Sequence, residues 1–172
     1  MAEAATNGAV YAAYWLYRLD PAYPRLPADV QRDGKAAFLS ALEGRAKSVK
    51  LRGVYSMVGL RGDADLLIWV LGPSLDDIQR LGVSLRKTGL GRYLTQVETY
   101  IGVTTAPRYD PEHQPAFVVG VPPKNYISVY PFVKTAEWYL LSAAGRRQLM
   151  AEHGQIGRKY AVPREQLVPA AA

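Results

Sequence analysis

The chain has two imidazoles, His113 and His153, in 172 residues, and no cysteine. Disulfides, thiolate zinc sites and iron–sulfur clusters are therefore excluded. His153 lies in the run AEHGQIGRKY. If that run is helical, Leu149, Met150, His153 and Ile156 fall three or four residues apart and share one face. One reading is a half-buried histidine bonded to a neighbour. The other is an imidazole offered to a flat apolar cofactor, as heme iron takes a proximal histidine, with Glu152 or Glu98 fixing the ring from behind. His113 sits in the proline-rich stretch APRYDPEHQPAFVVGVPPKN. It is either an exposed loop histidine or an acid–base group on a covering loop.

A second group of candidates lies in YPFVK, residues 130–134. Tyr130 on a strand suits sheet packing or a redox and proton relay, and Lys134 suits solvent or a counter-charge for a carboxylate ligand. Trp138 and Tyr139 suit a core or a flat ring. Arg146, Arg147, Arg158 and Lys159 suit a solvated helix face or an anion-attracting rim. The formal charge of +6 also favours an anionic partner, whether nucleic acid, a phosphorylated compound or a polycarboxylate. No block of five basic residues occurs, and no aromatic and basic RNA-binding motif, so nucleic acid is not expected.

The elements that must carry these residues read as follows. Residues 9–19 form a strand, and about Pro27 to Val49 a helix with Val30, Phe38, Leu42 and Ala46 on one face and Asp29 or a neighbour as its cap. LRGVYSMVGL and ADLLIWVLG are strands, with RGD as the hairpin turn between them. Ser74, with Asp77 three residues on, caps a helix whose inner face is Ile78, Leu81 and Leu85. LTQVETYIGVT is a further strand. The order βαββαβ is that of a ferredoxin-like domain, an α+β fold with helices on one face of an antiparallel sheet. The other face is also apolar and needs a cover. The expected organisation is a ferredoxin-like domain at 9–105, a connector at 106–125, and a partial second unit at 126–172. In that second unit YISVYPF is a strand and EWYLLSAAGRRQLMAEHGQIGRKY is mainly helix. No run of 18 apolar residues and no leader pattern occur, so a membrane span is not expected and a cytoplasmic protein is.

VYPFVKTAEWYLL followed by AEHGQIGRKY resembles the chlorite dismutase-like family, closest to its actinobacterial-type coproheme decarboxylases. GLRGDADLLIWVLGPSLDDIQRL, LGRYL and RYDPEHQPAF resemble the same family in the same order, from about Val10 to Tyr160. The resemblance implies a chlorite dismutase-like dimeric α+β barrel of two ferredoxin-like units, assembled in rings, usually pentamers. It implies that His153 is the proximal iron ligand, Tyr130 the redox-active residue, Lys134 a propionate contact, and Trp138 a neighbour of the porphyrin. His113 would be the distal acid–base residue and Tyr100 a further propionate contact. The implied reaction is peroxide-dependent decarboxylation of the propionates of iron-coproporphyrin III (coproheme) to vinyls, giving heme b, with hydrogen peroxide as oxidant. The alternatives are a non-enzymatic heme-binding or structural ferredoxin-like protein, and a peroxidase or chlorite dismutase-like heme enzyme. Family members continue past the position of Tyr160 through further strands and a DYEW-like segment. An incomplete second unit is therefore expected, from a shortened product, a separately encoded half, or completion by another subunit.

Overall fold

A computed structural model describes residues 9–44, 48–104, 115–131 and 133–160, the last four of them by backbone only. By internal contacts the chain divides into two units, Met1–Thr105 and Ala106–Ala172.

In the first unit, β1 (Val10–Leu19) is followed by α1 (Ala28–Glu43), β2 (Lys50–Ser56), β3 (Leu66–Gly72), α2 (Leu75–Arg86) and β4 (Leu94–Thr104). The strands lie in the order β2-β3-β1-β4, every neighbouring pair antiparallel. Each helix carries the chain past one intervening strand, α1 across β3 and α2 across β1. This is the ferredoxin-like topology expected from the element order.

Register sorts the side chains. Trp15 pairs with Ile68 and Ala13 with Val70, and these join Phe38, Leu42, Ile78, Leu81 and Leu85 in one core. Tyr14 pairs with Trp69, Leu16 with Leu67 and Ala12 with Leu71 on the opposite face, and all six are buried as well. A sheet apolar on both sides thus keeps both sides from water. Tyr14 stacks on Trp69 with ring centroids 5.3 Å apart, and the Arg52 guanidinium lies 5.2 Å from the Trp69 ring.

Ser74 caps α2 as expected. Its hydroxyl accepts from the Asp77 N–H at 3.1 Å and donates to the Asp77 carboxylate at 2.7 Å. Other expectations need correction. Of Asp29 and its neighbours, Pro27 caps α1, without a side-chain bond, and Asp29 falls in the first turn, where its charge meets the positive end of the helix dipole. Val30 is exposed, and the inner face of α1 is Gly34, Phe38 and Leu42. Polar contacts anchor that first turn instead. Gln31 Nε2 donates to Leu26 O at 2.8 Å, and the Tyr23 hydroxyl donates to Gln31 O at 2.7 Å. A Cβ on Gly34 would stand 3.1 Å from both Leu90 N and Tyr23 Oη, so glycine lets α1 approach this loop. α1 also ends at Glu43, earlier than its expected limit, and Ala46 lies outside the described residues. RGD is not a tight hairpin turn. The β2–β3 connection spans 57–65 and turns earlier, where Gly59 takes φ +78° and the Arg61 N–H reaches Met57 O.

In the second unit, α3 (Ala136–Leu140) and α4 (Ala143–Tyr160) are helical. The strand expected at YISVYPF is not formed over its described residues, which pair with no other segment. A strand exists only as part of a ladder, and alternating apolar residues do not make one without a partner. Among the described residues, no helix is long and apolar enough to cross a membrane.

Candidate functional site

α3 and α4 meet at a short break that its own residues encode. Ser142 accepts from the Gly145 N–H at 3.1 Å, an N-cap bond that starts α4. At the head of α3, Glu137 is held below the usual carboxylate range, first by a hydrogen bond from its own backbone N–H and then by Thr135. Arg146 spans the break: its Nη1 donates to Tyr139 O at 3.2 Å.

Trp138 is the hub of this corner. Lys134 Nζ lies 4.0 Å from the indole centroid and Arg146 Cζ 5.5 Å from it. Tyr139 meets the same ring edge-on at 5.2 Å. The structure thus brings together Lys134 and Trp138, and adds Arg146. The sequence had offered Arg146 only as one of several rim cations. Its contact with Trp138 depends on the angle of the helix break, which spacing along one helix does not reveal.

Further along α4, His153 is exposed, and Leu149, Met150 and Ile156 are 45%, 44% and 49% exposed. The expected stripe therefore exists as a helical face, but its apolar side chains stand open. Tyr130, 53% exposed, stands before α3 in the same unit. Among the described residues no three or more His, Asp or Glu side chains cluster. His153 is thus a lone imidazole among them, and one protein ligand suffices for a metal already held by a porphyrin. His113 lies outside the described residues.

Tyr100 belongs to the first unit, on β4, directly opposite Tyr14. Its hydroxyl is pushed above its ordinary pKa, chiefly by the hydrogen bond to Glu98, with Arg61 pulling the other way. Glu98 is correspondingly engaged: Arg61 Nη1 reaches it at 3.2 Å while the other two guanidinium nitrogens grip Asp63 at 2.7 and 2.6 Å. That hold keeps the Asp63 carboxyl below the usual range. Glu98, one of the two carboxylates offered as backing for His153, is engaged by Arg61 and Tyr100. RGD had been read for its turn chemistry alone, which hid Arg61 as the partner of β4.

The family model described as chlorite dismutase matches residues 31–172. The chain belongs to the chlorite dismutase family. The coproheme decarboxylase of Mycolicibacterium smegmatis is 40% identical over 141 residues, covering 81% of this chain and 60% of that protein. The coproheme decarboxylase of Staphylococcus carnosus is 32% identical over 123 residues, covering 63% of this chain and 49% of that protein. The chain therefore spans roughly half to three fifths of these relatives. Among solved structures, an arginine variant of the chlorite dismutase from Candidatus Nitrospira defluvii superposes with a TM-score of 0.72 at 26% identity, covering 89% of this chain and 66% of that one. A heme-binding protein from Thermus thermophilus shares the fold, with a TM-score of 0.63 at 23% identity.

Proposed function

We propose that this chain binds coproheme and takes part in the peroxide-dependent decarboxylation of its propionates to vinyl groups, giving heme b. The observation that carries the reading is the open apolar face of α4, where an exposed imidazole stands among Leu149, Met150 and Ile156. Such a face suits a flat hydrophobic ring, and the similarity to two coproheme decarboxylases supports coproheme as that ring.

The chemistry balances with peroxide as the oxidant. Each propionate loses carbon dioxide, one proton and two electrons as its two carbons become a vinyl. Hydrogen peroxide takes up two electrons and two protons and leaves as two waters. The porphyrin iron, when bound, supplies the electron transfer between them. In this reading the residues have distinct tasks. His153 lends a ring nitrogen to the iron. The Tyr130 phenol gives up and regains a hydrogen atom beside the reacting propionate. The Lys134 ammonium offsets the propionate charge and restricts its motion. His113 accepts a proton from peroxide. Tyr100 is a further propionate contact. A cytoplasmic homo-oligomer, pentameric in the family manner, completes the proposal.

The test is titration of the purified chain with ferric coproheme, then with peroxide, followed by absorption spectra and product mass. A histidine-ligated spectrum that His153→Ala abolishes is expected. A stepwise loss of carbon dioxide that Tyr130→Phe stops, with binding retained, is also expected. No histidine-type complex in the wild-type chain overturns the reading. Binding without decarboxylation selects the heme-binding alternative, and turnover of chlorite in place of peroxide selects the chlorite dismutase one.

A further inference from the structure

Trp138 carries two cations, Lys134 and Arg146, on one indole. Like charges so placed repel, and on a protein surface a nearby carboxylate normally offsets them. None does so here. Among the described residues every ion pair lies in the first unit: Arg32–Asp33, Arg61–Asp63, Arg61–Glu98 and Arg80–Asp77. Glu137, the acidic neighbour of Trp138, is engaged by its own backbone N–H and by Thr135. The second observation is on Arg146 itself. Its Nη1 has an acceptor, but its Nε is buried without any hydrogen-bond partner among the described residues. A buried guanidinium N–H without an acceptor costs folding free energy, and a ligand oxygen placed there removes the cost.

We propose that Arg146 is a ligand-binding residue, which joins the Lys134 and Trp138 already assigned to the porphyrin in a binding site for a polycarboxylate. Arg146 donates to a carboxylate oxygen, Lys134 supplies the second positive charge, and the indole holds both cations in place before the ligand arrives. The assignment of that carboxylate to a porphyrin propionate rests on the reading above. Preorganisation matters here. Two flexible cations that already stand against one rigid ring lose less freedom on binding than two free side chains.

Fluorescence of the full chain tests this. Trp15 and Trp69 are 4% and 5% exposed, so quenching by solutes reports mainly on Trp138. Iodide, an anion, should quench it more strongly than neutral acrylamide does. Arg146→Gln should lower the iodide effect on the order of twofold while acrylamide quenching and circular dichroism stay unchanged. Metal-free coproporphyrin III, which carries four propionates and no iron for His153, should bind Arg146→Gln about tenfold more weakly than wild type. Arg146→Lys, which keeps the charge but loses the planar fork, should fall between them. Equal iodide quenching of wild type and Arg146→Gln overturns the site. Equal coproporphyrin binding by the two overturns its assignment to propionate. A third outcome separates this proposal from the porphyrin reading. If coproporphyrin fails to bind but citrate shields Trp138 from iodide in wild type and not in Arg146→Gln, the site stands and the porphyrin reading falls.

Discussion

The two units put their apolar side chains to opposite uses. In Met1–Thr105 many of the large ones are inside: Ile68, Leu81 and Leu85 are at most 1% exposed between a sheet and two helices, and Leu16 is 2% exposed on the sheet's other face. In Ala106–Ala172 they are outside. Tyr126, Tyr130, Val133, Leu140, Leu149, Met150 and Ile156 stand open, and Phe117 is the one buried hydrophobic side chain among that unit's described residues. A side chain committed to a core has no surface left to offer a ligand, and the exposed side chains of the second unit keep theirs. The first unit is built to be stable, and the second displays chemistry that its own described packing does not bury.

The sharpest way to break this comparison is to truncate one leucine in each unit. Leu81→Ala should cost about 2–5 kcal/mol of stability, the usual range for a buried leucine. Leu149→Ala should change stability by no more than about 0.5 kcal/mol, as exposed positions do. Urea denaturation of both variants decides it, and equal losses would mean that α4 is packed as tightly as α2. Alkali gives the next contrast. Burial pushes the Tyr17 hydroxyl up to about 12, with Arg86 opposing, and the Tyr14 hydroxyl likewise to about 12. A phenol whose pKa is raised by folding stabilises the native chain fully below its unfolded value of 10 and loses that contribution as pH rises through 12. Melting temperature should therefore drop between pH 10 and 12, and Tyr17→Phe should flatten the drop. A variant as alkali-sensitive as wild type would show that the phenol is not the cause. The smallest effect belongs to the helix cap. Ser74→Ala should cost about 1 kcal/mol by freeing the Asp77 N–H, visible as a small shift of the same urea transition.

Much of the first unit was legible because local signals and tertiary packing agree there. LTQVETYIGVT is β4 to the residue, Ile78, Leu81 and Leu85 all turn inward, and Ser74 caps as its spacing with Asp77 implies. The misreadings share a cause in contacts between distant residues. Gly34 faces inward because the Leu90 loop comes close, and nothing within α1 announces that loop. Arg61 serves Glu98, 37 positions away. In the second unit YISVYPF has strand composition, but composition does not supply a neighbour. The sequence named Lys134 and Trp138 separately, and their contact follows from the course of the chain into α3, which begins after Lys134. Arg146 was obscured by the bend between α3 and α4.

The outermost rung of the sheet has a consequence for synthesis. Val10 pairs with Thr104, and the Thr104 hydroxyl donates to Val10 O across 94 positions of chain. β1 occupies the centre of the sheet, is made before both of its neighbours, and must wait for β3 on one side and β4 on the other. A growing polypeptide therefore carries a greasy, unzipped ribbon until β4 has been made. The waiting time, several seconds at about 5–20 residues per second, is when a chaperone has most to protect.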